Sequence, residues 1–343
     1  MKKLLNTLYV TSEDTYLSLD GENIVVLKEG KEAIRLPFHN IEGVVSFGRT
    51  GASPALMGYC AKNNVSLTFL NSYGRFLARV TGEIRGNIVL RKKQYILSED
   101  TYQSTLIAKN FITGKVYNCK SVVDRANRDY GLRLDTNKLQ DTSQKLNNSI
   151  QMLRSCNTLE EVRGFEGEAA KSYFAVFDEL ILQQKDYFYF NGRNKRPPLD
   201  NVNAMLSFLY TLLAHDVAAA LENVGLDPYC GFLHRDRPGR ISLALDLMEE
   251  LRPVLVDRTV LSLINNREVS AKGFIQKESG AVIMDEKTRK IILNAWQTRK
   301  KDQITHPFLK EKIPWGIVPH AQSMLLARHL RGDLEEYPPF FWK

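Results

Sequence analysis

Three segments of this 343-residue chain carry side chains whose types and spacing suit chemistry. In Arg163-Gly164-Phe165-Glu166-Gly167-Glu168-Ala169-Ala170 a glutamate stands between two glycines inside one helical turn. Each glycine costs a helix about 1 kcal/mol relative to alanine, and the usual return is room for a close-approaching backbone or ligand. Asn157 is expected to cap this helix, with Glu160 completing a capping box. Taken alone, Glu166 reads equally as an exposed glutamate on a loosely packed turn. In Gly225–His234 a histidine ends an apolar run beside Arg235 and Arg237, before a turn at Pro238-Gly239. There it suits a ligand or proton carrier, although lone histidines are more often structural.

The third segment changes that balance. Ser242–Leu251 has helical periodicity, with Leu243, Ala244, Leu247, Met248 and Leu251 on one stripe and Asp246, Glu249 and Glu250 on the opposite face. Three carboxylates on one face repel unless water or a cation intervenes, and a solvated face is the simpler reading of Glu250. A histidine and a carboxylate 15 residues apart, with a distant glutamate, suit one divalent ion. Oxygen ligands with a single imidazole favour Mg²⁺ or Mn²⁺ over Zn²⁺.

The elements that must position these residues fall into two sets. Short apolar or alternating runs predict strands at Leu4–Val10, Tyr16–Leu19, Ile24–Lys28, Ala33–Leu36, Val44–Phe47, Ser66–Leu70 and Phe76–Val80. One helix, Ser53–Lys62, interrupts them, with Ser53 as its cap and Pro54 at its first position. Helical periodicity takes over from Asn87, through Asn87–Ser98, Thr101–Asn127, Leu139–Arg154, Leu159–Gln184 and Val202–Asn223 to a last helix at Pro319–Arg331. The expected class is α+β: a small β-sandwich-like domain over 1–82, a hinge over 83–86 between Gly82 and Gly86, and an all-α domain over 87–343.

Composition narrows the partner. A net charge of +8 favours a polyanion, nucleic acid or an anionic membrane surface. Residues 85–155 hold 13 Lys/Arg against 6 Asp/Glu, which predicts a phosphate-facing surface with Lys109, Lys115, Lys120, Arg125 and Arg128, unless the stretch is a solvated face. The start lacks the pattern of a signal peptide, and no run is expected to reach the roughly 20 apolar residues that span a membrane. Four scattered cysteines without a C-x-x-C pair read as reduced thiols of a cytoplasmic protein.

Motifs in order along nearly the whole chain resemble the CRISPR-associated Cas-one integrase family, specifically its type I-C-like branch. They are Arg163–Phe174, Gly192-Arg193 through Pro198 with Asp200, Asn203 and Tyr210, Gly225–His234, Leu243–Pro253, Leu255–Arg258 and the ending Pro319–Asp333. The resemblance implies a metal held by Glu166, His234 and Glu249, the last being the first glutamate of Met-Glu-x-x-Arg-Pro, with Asp246 as a possible accessory. It implies insertion of spacer DNA into a repeat array by 3′-hydroxyl attack, endonuclease activity when water replaces that hydroxyl, and no covalent enzyme nucleophile. The implied partners are double-stranded DNA (spacer precursor and CRISPR repeat), a second copy of the chain through the β-rich domain, and the small Cas-two protein. Arg163, Arg193, Arg196, Arg235, Arg237 and Arg240 are candidates for holding phosphates, with ordinary surface charge as the competing reading. A stand-alone metal-dependent nuclease on branched DNA and a non-catalytic DNA-binding scaffold are the alternatives.

Overall fold

Period-two apolar runs become strands in the N-terminal segment, as the alternation requires. The computed structural model describes residues 7–12, 14–41, 43–63, 65–71, 76–80, 82 and 88–342. A four-stranded sheet in the order β1 (Thr7–Val10), β5 (Gly43–Ser46), β6 (Ser66–Leu70), β7 (Phe76–Val80) lies beside a three-stranded antiparallel sheet of β2 (Thr15–Asp20), β3 (Asn23–Lys28) and β4 (Lys31–Pro37). Both sheets and helix α1 (Pro54–Lys62) share one core of Val10, Leu17, Ile24, Val26, Val44, Leu56 and Leu67. Ser53 Oγ accepts from the Leu56 amide, and Pro54 opens the helix, as expected.

Strand pairing corrects the simple sandwich. β1 and β6 both run parallel to β5. Parallel neighbours need a crossover, and α1 supplies it between β5 and β6. Positions 83–86, the expected hinge, lie outside the described residues, as does the start of the first expected strand.

The rest of the chain is mainly helical. In order come α2 (Ile88–Glu99), α3 (Thr101–Tyr130), α4 (Thr136–Ser155), α5 (Leu159–Ala175), α6 (Asn201–Asn223), α7 (Ser242–Met248) and α8 (Arg258–Asn265), then α9 (Glu286–Lys301) and α10 (Val318–Arg331). Two short hairpins, β8 (Phe274–Gln276) with β9 (Val282–Met284) and β10 (Gln303–Thr305) with β11 (Lys312–Pro314), show that this part is not all-α. α5 also stops earlier than its periodicity suggested and passes into a 3₁₀ turn at Phe177–Leu180. Its cap is Thr158, whose hydroxyl accepts from the Glu161 amide while Glu161 reaches back, one residue beyond the expected Asn157–Glu160 pair.

α6 corrects the membrane reading. It is long and apolar enough to cross a bilayer by length and composition, yet 67% of its most apolar window is buried among the other helices. An apolar helix covered all round is the mark of a protein core. All four cysteines are free thiols.

Candidate metal centre and nucleic-acid face

The site is assembled from four elements that packing forces together. α3 is the spine, in contact with α4, α5 and the π-helical turn Arg252–Asp257 that follows α7. Its buried face runs Ile107, Ala108, Phe111, Ile112, Val116, Cys119 and Val122, and Lys115 stands on that same face. At Gly114 a Cβ would lie 3.0 Å from Glu250 and 3.1 Å from Pro339. Glycine suits this close approach of α3, which carries its neighbour Lys115 to the carboxylates.

Lys115 Nζ pairs with Glu166 Oε1 and lies 2.7 Å from Glu249 Oε2. Arg252 Nη1 reaches Glu249 Oε1 at 2.6 Å. Burial would raise the Glu249 carboxyl, but the positive charges of Arg252 and Lys115 outweigh it and hold it down to about 2. Burial would lower the Lys115 ammonium, and the two carboxylates more than reverse that. Glu249 Oε2 is buried, with the Lys115 ammonium as its close partner.

His234 is oriented by Asp246. The Asp246 carboxylate is fully buried and accepts the amides of Phe232 (2.7 Å), Leu233 (2.9 Å) and His234 (3.0 Å), and its Oδ1 lies 2.5 Å from His234 Nδ1. An acceptor-only carboxylate there assigns the proton to Nδ1 and leaves Nε2 as the free lone pair. A Cβ at Gly231 would meet Asp246 Oδ2 at 2.8 Å, which is why glycine stands where the loop closes on the carboxylate. Asp246 is thus a positioning residue for His234. Arg163 fastens this loop to α5, donating from Nε and Nη2 to the Leu233 carbonyl at 3.2 and 2.6 Å.

Among the described residues no three His, Cys, Asp or Glu side chains stand close enough to ligate one ion together. Glu166 and Glu249 nevertheless converge on a single cationic position, now held by the Lys115 ammonium. Gly164 and Gly167 are exposed, and nothing beyond their own stretch of helix lies within 4 Å of a Cβ built at either. Carboxylate oxygens with one free imidazole nitrogen fit a hard divalent ion.

Glu250 is not solvated. It is fully buried and accepts from the Tyr337 hydroxyl, from Gln322 Nε2 (2.9 Å) and from the Phe340 amide (2.8 Å). It therefore ties α7 to the C-terminal segment, and truncation should not be mild. Burial, against these three donors, pushes its carboxyl from 4.5 up to about 7. A raised carboxyl binds its proton more tightly when folded, so its contribution is complete below pH 4.5 and is lost as pH rises through about 7. That rise corresponds to about 3 kcal/mol. Melting temperatures across pH 4.5–8 should fall less for Glu250→Gln than for the natural chain, and Glu250→Ala should be less stable throughout. Parallel curves for Glu250→Gln and the natural chain would contradict this account.

The six candidate arginines divide. Arg163 is spent on Leu233 and on Glu160 at 3.0 Å. Arg193 donates to Asn203 Oδ1 (2.6 Å) and Ser207 Oγ (3.0 Å), and lies over the Tyr210 ring at 5.3 Å. Both hold the site together. Arg196, Arg235 and Arg237 are exposed and Arg240 is half-buried. Lys195, missed in the sequence, joins this rim: burial and the nearby Arg252, Arg193 and Arg196 all lower its ammonium.

Several cations of the charge surplus over 85–155 have partners within the protein. Lys109 donates to the carbonyls of Arg154 and Cys156, Lys120 pairs with Asp124 at 2.6 Å, and Arg125 and Arg128 both pair with Asp129. Lys115 is buried, whereas Arg125 and Arg128, 44% and 70% exposed, share the single Asp129 carboxylate and keep a surplus positive charge on the surface. Composition counted these charges but not their partners. Arg252 and Lys115 were also missed as site residues, although a lysine on the apolar face of α3 was a readable signal.

Converging carboxylates, a carboxylate-oriented imidazole and a guanidinium rim together have the make-up of a site that handles phosphodiesters with a divalent cation. Residues 8–298 match the family described as CRISPR associated protein Cas1. A protein of Rhodospirillum rubrum named CRISPR-associated endonuclease Cas1 2 is 52% identical over the whole of both chains. The chain belongs to the Cas1 family. In fold it is similar to a casposase bound to integration product (TM-score 0.84, 24% identity, 99% of this chain and 95% of that one). It is also similar to part of a Cas6-RT-Cas1–Cas2 complex (TM-score 0.81, 20% identity, 100% of this chain and 36% of that one).

Proposed function

We propose that this protein is a metal-dependent DNA endonuclease and integrase of CRISPR adaptation, acting in the cytoplasm. The observation that carries the reading is the convergence of Glu166 and Glu249 on one cation beside an Asp246-oriented His234, in a Cas1 chain. Those three residues would hold Mg²⁺ or Mn²⁺. When bound, the ion polarises a phosphoryl oxygen and offsets charge developing in the transition state. Asp246 keeps the imidazole in one tautomer and orientation, and Arg252 fixes one oxygen of Glu249. Arg196, Lys195, Arg235, Arg237 and Arg240 line the approach and hold backbone phosphates. A DNA 3′-hydroxyl then attacks a repeat phosphodiester: one P–O bond forms, another breaks, and the displaced strand leaves with its own 3′-hydroxyl. Water in place of the hydroxyl gives cleavage.

Two strands must be attacked, so two sites at a fixed separation are needed. A second copy, joined through residues 1–82, supplies the other site, while residues 87–343 carry catalysis and DNA. The small Cas-two protein bridges the dimers, and the Pro319–Asp333 ending supports a type I-C-like branch.

The test offers a short duplex with free 3′-hydroxyls to a supercoiled repeat-bearing plasmid, with and without the Cas-two protein, in Mn²⁺ or chelator. Mn²⁺-dependent joining that requires the partner is expected. Cleavage of branched DNA without joining would favour a stand-alone nuclease. Binding with no change to either DNA would leave only a scaffold.

A further inference from the structure

The mechanism gives Lys115 no task, yet its ammonium is the best-connected charge in the site. Its side chain is 10% exposed, and it bridges two carboxylates from different elements, Glu166 on α5 and Glu249 after α7. With Arg252 on the other oxygen of Glu249, the four charges sum to zero: two carboxylates, one ammonium, one guanidinium. A divalent ion arriving at Glu166 and Glu249 would raise that sum to +2 if both basic groups stayed. Arg252 is held in place, with its guanidinium 5.0 Å over the Tyr210 ring. Among the described residues the Lys115 ammonium is held by those two carboxylates, and its four-carbon stem lets the charge swing away.

From this arrangement we infer that Lys115 is a resident counter-cation that occupies the divalent-ion position and must be displaced for metal to bind. The inference rests on the reading of Glu166 and Glu249 as metal ligands. Without the metal, Lys115 keeps two facing carboxylates from repelling. With it, Lys115 competes for the same oxygens, so metal affinity is set below what the ligands alone would give.

The test is Mn²⁺ titration of the DNA-free protein by isothermal calorimetry at pH 8, with melting temperature recorded alongside. Lys115→Met should bind Mn²⁺ at least tenfold more tightly than the natural chain. It should melt lower without metal and gain more on adding it, and Lys115→Arg should behave like the natural chain. If Lys115→Met does not fold, Lys115→Gln, uncharged and still able to donate, takes its place with the same expectation. Unchanged or weaker Mn²⁺ binding in the uncharged variant, with binding lost in Glu166→Ala, would overturn the role of Lys115 and leave the ligand reading standing. Undiminished Mn²⁺ binding in both Glu166→Ala and Glu249→Gln would overturn the ligand reading and this inference with it.

Discussion

Glu166→Ala, His234→Ala and Glu249→Gln should each abolish Mn²⁺-dependent cleavage and joining, with losses exceeding the roughly 10–100-fold that removal of an outer-shell partner costs. Their effects on folding should differ, because their surroundings do. The Glu166 side chain is 29% exposed and that of His234 22%, but each pairs with a buried charge, Lys115 and Asp246, so either truncation should cost about 1–3 kcal/mol. Glu249 is buried between Lys115 and Arg252. Breaking a buried pair by removing one partner costs about 3–5 kcal/mol, so Glu249→Ala should unfold more readily, and glutamine is the cleaner probe. Urea unfolding beside the activity assay separates the two effects. Near-normal cleavage by His234→Ala in Mn²⁺ would remove it from the site.

The second large effect belongs to Asp246, which the sequence placed among the acidic residues around the metal. Its oxygens hold three amides and the His234 ring, all within 3.0 Å. Hydrogen bonds to a charged group contribute about 1.5–3 kcal/mol each, so Asp246→Asn should lose on the order of 3 kcal/mol by urea unfolding. It should also weaken Mn²⁺ binding by about 10–100-fold, since the ring loses its fixed tautomer. Wild-type Mn²⁺ affinity in a folded Asp246→Asn protein would show that His234 needs no such support.

What the sequence made legible follows from range. The strands, α1 with its Ser53 cap and most helices came from local periodicity and turn chemistry, which neighbours along the chain determine. The motifs likewise named Glu166, His234 and Glu249. Local patterns missed what is settled by contacts across the chain. The parallel pairing of β1, β5 and β6 depends on a crossover, not on the strands' own residues. Glu250 looked solvated because its partners, Gln322, Tyr337 and Phe340, lie 72 to 90 residues away. Lys115 looked like one basic residue among many because Glu166 is 51 residues distant, and Lys109 and Lys120 found partners that a charge count cannot see.

The central claim is that Glu166, Glu249 and His234 hold one divalent ion, and electron spin-echo spectroscopy of bound Mn²⁺ tests it most directly. In the protein with one equivalent of Mn²⁺, the account predicts nitrogen coupling from a single directly bound imidazole. That coupling should vanish in His234→Gln while weaker Mn²⁺ binding persists, and Mn²⁺ binding itself should be lost in the Glu166→Ala, Glu249→Gln double variant. Imidazole coupling that survives His234→Gln, or undiminished binding by the double variant, would contradict it.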